Sequence, residues 1–363
     1  MKHFLSEKLN NILLDSKIRV NEINDILYKK NTSFATNDYF GLAKNCEIKA
    51  RVLHEMQKYH IGTGGSKYVC GNSEIHLELE ERTAFVKNSE DCVLFGSGYL
   101  ANVGVISAIC GREDLVIADK LVHASIVDGI VLSRAKMLRF EHNNLNHLEE
   151  ILRRMRGSYK RCTIVTETIF SMIGSASDLD EVVQLAIRYD CFLISDDAHG
   201  LCNAKYRDYD FHAQIGTYSK AVGSYGGYAC CGALLAGYIR NFARSQVYST
   251  SLPFPVILAN LFGIEWIASA SNEIKQTPIA HAKYFDNCSG LSVYRGSQIV
   301  FIEVESSEMA LAYSRVLEGN GFIVPAIRPP TVPKAGLRIS FCADHKKIDI
   351  EKLSDILRDV LKN

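Results

Sequence analysis

Between about residues 90 and 235 the chain alternates short apolar runs with longer amphipathic ones. "CVLF" leads into "YLANVGVISAIC", "LVIAD" into "HASIVDGIVLS", and "CTIVTE" into "DLDEVVQLAIRY", with "FLISDD" following at once. Runs of four to six apolar residues read as strands buried on both faces, and the longer stretches as helices, so the pattern predicts an α/β fold with a mainly parallel sheet between helices. Ligands of such sheets collect beyond the carboxyl ends of the strands. The unusual residues fall there: Gly96 to Gly98, Asp119 to His123, Thr166 to Ser171 and Asp196 to His199.

Outside this stretch the pattern changes. The first forty residues read as a helical arm followed by "SFATNDYFGL", and a long helix runs to about residue 272 after the break at Pro253 and Pro255. Then "QIVFIEVE", "MALAYSRVLEGNG", "GLRISFCA" and a closing helix with Ile350, Leu353, Ile356, Leu357 and Val360 on one face predict a smaller strand-and-helix unit. The expected organisation is an arm over 1–45, a large domain over 46–272 and a small C-terminal domain over 273–363.

Composition narrows the partners. Among 363 residues, Lys plus Arg and Asp plus Glu are equal at 41 each, without charged blocks, so neither nucleic acid nor an anionic membrane surface is indicated. The opening "MKHFLSEKLNNILL" interrupts its apolar run with Glu7 and Lys8, unlike a signal peptide, and no apolar stretch is long and clean enough for a membrane span. The eleven cysteines are odd in number, form no CxxC and sit mostly in apolar runs, so they read as reduced core residues of a cytosolic protein. The adjacent Cys230 and Cys231 are expected to face opposite sides of a strand.

Each candidate motif has an ordinary reading beside a chemical one. "SDDAHG" places Asp196, Asp197 and His199 at a strand end, where they suit a solvated loop, a divalent metal site, or an anionic partner for a protonated heteroaromatic nitrogen. "FGSGYLANVG" reads as strand, glycine turn and helix; the helix N-terminus around Gly98 and Tyr99 suits a phosphate, though such a turn alone is common. His123 opens a helix after "LVIAD", as a capped histidine or a ring able to stack on a planar ligand, and the Ser171 hydroxyl of "ETIFSM" could meet a phenolic oxygen. Lys220, in "TYSKAVGSYGG", is either an exposed loop lysine or a desolvated amine able to form a Schiff base, with Thr217 and Ser219 beside it. The ordered combination of glycine turn, histidine, serine, DxxH and lysine favours the chemical readings taken together.

That ordered set closely resembles the α-oxoamine synthases among the fold-type I pyridoxal phosphate enzymes. The stretches that carry the resemblance are "TNDYFGL", "GTGGSKYVCG", "GSGYLAN", "DKLVHAS", "TETIFSM", "DDAHG", "TYSKAVGSYGG", "VYSTSLP" and "IRPPTVP", spread over most of the chain. The resemblance implies a large domain with a mainly parallel seven-stranded sheet, and pyridoxal 5'-phosphate as cofactor. It makes Lys220 the lysine that carries the cofactor, Asp196 the partner of the pyridine nitrogen, His123 the stacking ring, and Ser171 and His199 contacts to the phenolic oxygen. Gly98, Tyr99 and Thr217 would hold the phosphate. Asn37 and Thr250 would come from the second subunit of a homodimer, and Arg328 would receive the substrate carboxylate. "YSTSLP" and "IRPPTVP" resemble the branch that condenses L-alanine with a pimeloyl thioester of coenzyme A or a carrier protein; siblings use glycine or serine with other acyl-CoAs.

The chain departs from the family pattern in places. Ile173 stands where an acidic residue is usual, Lys67 and Cys70 where arginine and serine are commoner, and the loop after His199 lacks a glycine-arginine segment. The N-terminal helix offers Arg19 as a substrate contact but no arginine near Asn24. Two other classes stay open on the residues alone: a metal-dependent hydrolase using Asp196, Asp197, His199 and His123, and a non-catalytic binding protein on the same scaffold.

Overall fold

The structure, a computed structural model, describes residues 2–7, 31–200 and 212–362. Its core is a seven-stranded sheet built from β1 (Asp91–Phe95), β2 (Leu115–Asp119), β3 (Lys136–Phe140), β4 (Cys162–Glu167), β5 (Phe192–Asp196), β6 (His212–Thr217) and β7 (Gly227–Cys231). The spatial order is β1-β7-β6-β5-β4-β2-β3, and β7 alone runs antiparallel to its neighbours. The apolar runs of the sequence therefore are the strands, and β2 and β4 to β7 are buried over nearly their whole length, as strands covered on both faces must be.

Helices return the chain between strands, and local chemistry fixes where they begin. Asn144 caps Leu145–Met155 by accepting from the His147 N–H at 3.0 Å, and Asp178 caps Leu179–Arg188 by accepting from the Glu181 N–H at 3.2 Å. Both helices bury one apolar stripe in a cluster that includes Leu148, Leu152, Val182 and Ala186 against Leu115, Ile117, Ile164 and Leu193 of the sheet. Pro253 and Pro255 stand at the start of Phe254–Ser269, where a missing N–H costs nothing. Cys230 and Cys231 are both fully buried in β7.

Two compact units emerge. The larger comprises residues 37–171 and 175–277; the smaller comprises the N-terminal residues to Thr36, Met172–Gly174 and Pro278 onward. The division falls inside the helix Asn272–Ser289, a few residues beyond the boundary at 272 read from the sequence, because a second helix starts at Asn272 and carries the chain across it. The arm likewise splits, with "NDYFGL" in the larger unit and the strand Thr32–Ser33 pairing with Phe322–Ile323 in the smaller. The smaller unit also holds an antiparallel sheet of β8 (Ile299–Glu303), β9 (Ala326–Ile327) and β10 (Gly336–Ser340), packed with the closing helix Lys347–Lys362 through Leu337, Ile339, Ile350, Leu353 and Leu357. Among the described residues no single helix is long and apolar enough to cross a membrane.

Candidate active site

Four of the parallel strands end in polar residues: Asp119 on β2, Glu167 on β4, Asp196 on β5 and Thr217 on β6. Beyond β4 to β6 lies a cavity of about 220 Å³ whose lining includes Gly98, Tyr99, His123, Ser171, Asp196, His199, Thr217 and Lys220. With Ser219, nine of the residues named in the sequence thus share one pocket, although they span 123 positions of the chain.

One wall is the start of the helix Gly98–Ile109. Ser97 has extended backbone angles and caps it by accepting from the Leu100 N–H at 3.2 Å, which leaves the N–H groups of the first turn for a ligand. Two close approaches make this corner possible. A Cβ on Gly98 would stand 3.2 Å from the Thr217 Cβ, and one on Gly227 would stand 2.3 Å from the Ser97 carbonyl carbon, so β7 meets the turn backbone to backbone. Thr217 donates its hydroxyl to the Gly226 carbonyl at 2.7 Å, and its Oγ1 lies 2.8 Å from the Ser219 hydroxyl.

Asp196 forms the floor and is 6% exposed. Its Oδ2 accepts from Asn102 Nδ2 at 2.6 Å and its Oδ1 from the Ala198 N–H at 2.9 Å, which fixes the carboxylate in place. Asn102 also donates to the Ser125 hydroxyl at 3.0 Å, and Ser125 Oγ lies 2.7 Å from His123 Nδ1. A buried chain of polar groups therefore joins the floor to the histidine. His123 caps the helix Ala124–Ser133 and faces Tyr99 edge-on with ring centroids 6.2 Å apart. Partial burial pushes its pKa below the ordinary histidine value, with Asp196 pulling the other way, while the residue keeps an exposed face toward the opening. Tyr99 donates its hydroxyl to Asp128 and is itself exposed.

His199 is buried and is paired through Nδ1 with the Tyr39 hydroxyl at 2.6 Å; that hydroxyl also lies 3.5 Å from Asn37 Oδ1. Lys220 follows β6 in a tight loop closed by Tyr218 N–H to Gly226 C=O, Ser224 N–H to Tyr218 C=O and Gly223 N–H to Lys220 C=O, each 2.9–3.0 Å. Gly223 at φ 67° and Gly226 at φ 117° occupy backbone conformations that only glycine takes without strain.

Other residues lie elsewhere. Thr250 bridges Ser66 in an isolated backbone pair and lines a separate small cavity with Lys67 and His76. Arg328 is in the smaller unit, directly after β9. Arg19 lies outside the described residues. The sequence patterns gave no role to Glu167, Asn102, Ser125 or Tyr39. Glu167 ends its strand in the same register position as Asp196 on the next strand, which was the signal available for it.

The metal-hydrolase arrangement does not match these partners. Asp197 is taken by Lys87 at 2.5 Å and Thr168 at 2.6 Å, His199 by Tyr39, and Asp196 by Asn102. Among the described residues the acidic and imidazole groups that converge closely enough for a cation are Cys342, Asp344 and His345 of the smaller unit. The donor set does fit pyridoxal phosphate: an amine, a fixed carboxylate, a hydroxyl and an imidazole, and an open helix N-terminus. Moreover, Asn102 Oδ1 is buried without a hydrogen-bond partner, so the polar lining is incomplete as it stands.

The fold and site define a class. The family model for class I and II aminotransferases matches residues 29–357, and the chain belongs to that family. Within it, the chain is similar to 8-amino-7-oxononanoate synthases. That of Methylocella silvestris is 38% identical over 340 residues, covering 91% of this chain and 97% of the relative. The solved 8-amino-7-oxononanoate synthase of Francisella tularensis is 26% identical and superimposes with a TM-score of 0.77 over 92% of this chain and 98% of that one. A structure described as SPT with PLP is 25% identical, with a TM-score of 0.84 over 92% of this chain and 88% of that one.

Proposed function

We propose that the protein is a pyridoxal phosphate-dependent acyltransferase that joins L-alanine to a pimeloyl thioester with loss of carbon dioxide, making 8-amino-7-oxononanoate for biotin biosynthesis. The observation that carries the chemistry is the convergence of Lys220, Asp196, His123, Ser171, His199 and the Gly98 helix start on one cavity. The curated relatives named 8-amino-7-oxononanoate synthase support this product.

When bound, pyridoxal phosphate supplies the electron sink that makes the Cα of an amino acid acidic. Asp196, fixed in place by Asn102 and the Ala198 N–H, would set its carboxyl against the ring nitrogen. The N–H groups of the Gly98 turn and the Thr217 hydroxyl would hold the phosphate. Ser171 and the Tyr39-paired His199 would meet the phenolic oxygen, and the His123 ring would cover one face. Lys220 Nζ would carry the cofactor and take the Cα proton of L-alanine as general base. We further propose a homodimer in which Asn37 and Thr250 serve the neighbouring site, Arg328 as the receiver of the substrate carboxylate, Arg19 as a second substrate contact, and a carrier protein as one source of the thioester. The free thiols of the described cysteines suit the cytosolic location proposed for it.

The test is product formation from L-alanine, glycine or L-serine with pimeloyl-CoA or pimeloyl carrier protein, followed by mass spectrometry. The expected kcat/KM for L-alanine exceeds that for glycine by about 10- to 100-fold, the usual worth of one methyl group in a fitted pocket. A preference for glycine or serine with a different acyl-CoA would instead assign the chain to a sibling such as 2-amino-3-ketobutyrate ligase or 5-aminolevulinate synthase.

A further inference from the structure

Among the described residues lining the pocket, Glu167 is the one carboxyl to which the chemistry above gives no task. It is the last residue of β4, 3% exposed, and lies opposite Asp196 in the parallel ladder. A buried carboxyl beside another carboxylate is expensive: burial first, and Asp196 second, push its pKa well above the ordinary range, while Lys220 and two backbone N–H groups pull it back. Apolar residues of similar size would avoid that cost, so the contacts it makes are the place to look for its use.

Those contacts are specific. Glu167 Oε1 accepts from the His123 N–H at 2.6 Å, and Oε2 accepts from the Ser171 N–H at 3.3 Å. His123 is the cap residue of the helix Ala124–Ser133, so its own N–H precedes the helical ladder and has no carbonyl there to bond. Ser171 ends the short segment that leaves β4. One carboxyl therefore ties together two walls of the cavity, one 44 positions away in sequence and the other four.

We propose that Glu167 is a positioning residue that holds the backbone of His123 and of Ser171 at the separation a flat ring between them requires. The backbone part of this inference stands on the geometry alone; its consequence for cofactor rests on the function proposed above. Only a carboxyl offers two acceptor oxygens at that reach. In Glu167→Gln one oxygen still accepts, but the amide NH₂ meets the second backbone N–H donor to donor; in Glu167→Ala both N–H groups are left buried and unpaired.

The experiment measures backbone hydrogen exchange at residues 123 and 171 in the wild-type protein, in Glu167→Gln and in Glu167→Ala, together with equilibrium binding of pyridoxal phosphate and the separate kcat and KM for L-alanine. The Ile117 amide in β2 serves as the control for global stability. Slow exchange at 123 and 171 in the wild type is expected. In Glu167→Gln, at least one of the two amides should exchange at least about 10-fold faster while Ile117 is unchanged, and cofactor binding should weaken by about 10-fold for the backbone bond lost. Glu167→Ala should lose more on both counts. Rapid exchange at both amides in the wild type, or a Glu167→Gln protein with unchanged exchange and affinity, would overturn the proposal, and either result is readable if the alanine variant does not fold. A wild-type protein that protects both amides yet takes up no pyridoxal phosphate supports the positioning of the backbone and counts against the proposed function instead.

Discussion

A Lys220→Ala protein is expected to fold as the parent does and to lose turnover by about 10⁴-fold or more. The loop that presents Lys220 is closed by three backbone hydrogen bonds and shaped by Gly223 and Gly226, so its conformation does not depend on the amine. The chemistry does. Proton transfer by a positioned base is worth about 10²- to 10⁴-fold, and the same side chain is also the proposed covalent carrier, so truncation removes both contributions together. Steady-state assay of product release, with circular dichroism as the folding control, checks it. A variant retaining more than about a tenth of the parent rate would remove Lys220 from its assigned role.

The second large effect concerns stability. Lys87, the last residue of the helix Glu74–Lys87, is 1% exposed and donates to Asp197 Oδ2 at 2.5 Å; Asp197, also 1% exposed, accepts from Thr168 through its other oxygen. This ion pair sits one residue from Asp196 beneath the site. Lys87→Met leaves an uncompensated buried carboxylate, at a cost of about 3–5 kcal/mol. Adding Asp197→Asn to the variant should recover part of that loss. The pH dependence has a definite sign. Burial raises the Asp197 carboxyl and Lys87 lowers it, so without Lys87 the folded-state pKa rises further above the unfolded one. A carboxyl with a raised folded pKa binds its proton preferentially in the folded state. Its contribution is most favourable below the unfolded value of about 4 and is lost as pH rises through the folded pKa. Urea midpoints of Lys87→Met should therefore fall further below the parent at pH 8 than at pH 5. Equal deficits at both pH values would mean that the loss comes from packing of the lysine stem.

What could be read in the sequence and what could not follows from the range of the interactions. The alternation of "LVIAD", "CTIVTE" and "FLISDD" with amphipathic stretches reports a local property, burial on both faces, and the observed strands coincide with it. The polar residues just past those strands report where the chain leaves the sheet, which is why Asp196, His199, Ser171 and His123 can be placed at one edge from the sequence. Lys220 needed the whole ordered set, because a lysine in a small-residue loop has no signature of its own. Glu167, Asn102 and Lys87 escaped for a different reason. Their roles are fixed by partners 44, 94 and 110 positions away, and nothing in "TETIF", "GYLAN" or "AFVKN" announces a buried acceptor, donor or ion pair. The division between units was also displaced, since the helix that begins at Asn272 carries across it to Ser289.

The central claim is that one amine, in one pocket, holds the cofactor. Its most direct test is borohydride reduction of the holoenzyme, followed by proteolysis and mass mapping of the pyridoxyl group. The account predicts a single modified peptide carrying the adduct on Lys220, together with loss of activity in proportion to its yield. An adduct on a different lysine, or none in a protein that still turns over L-alanine and a pimeloyl thioester, would contradict it.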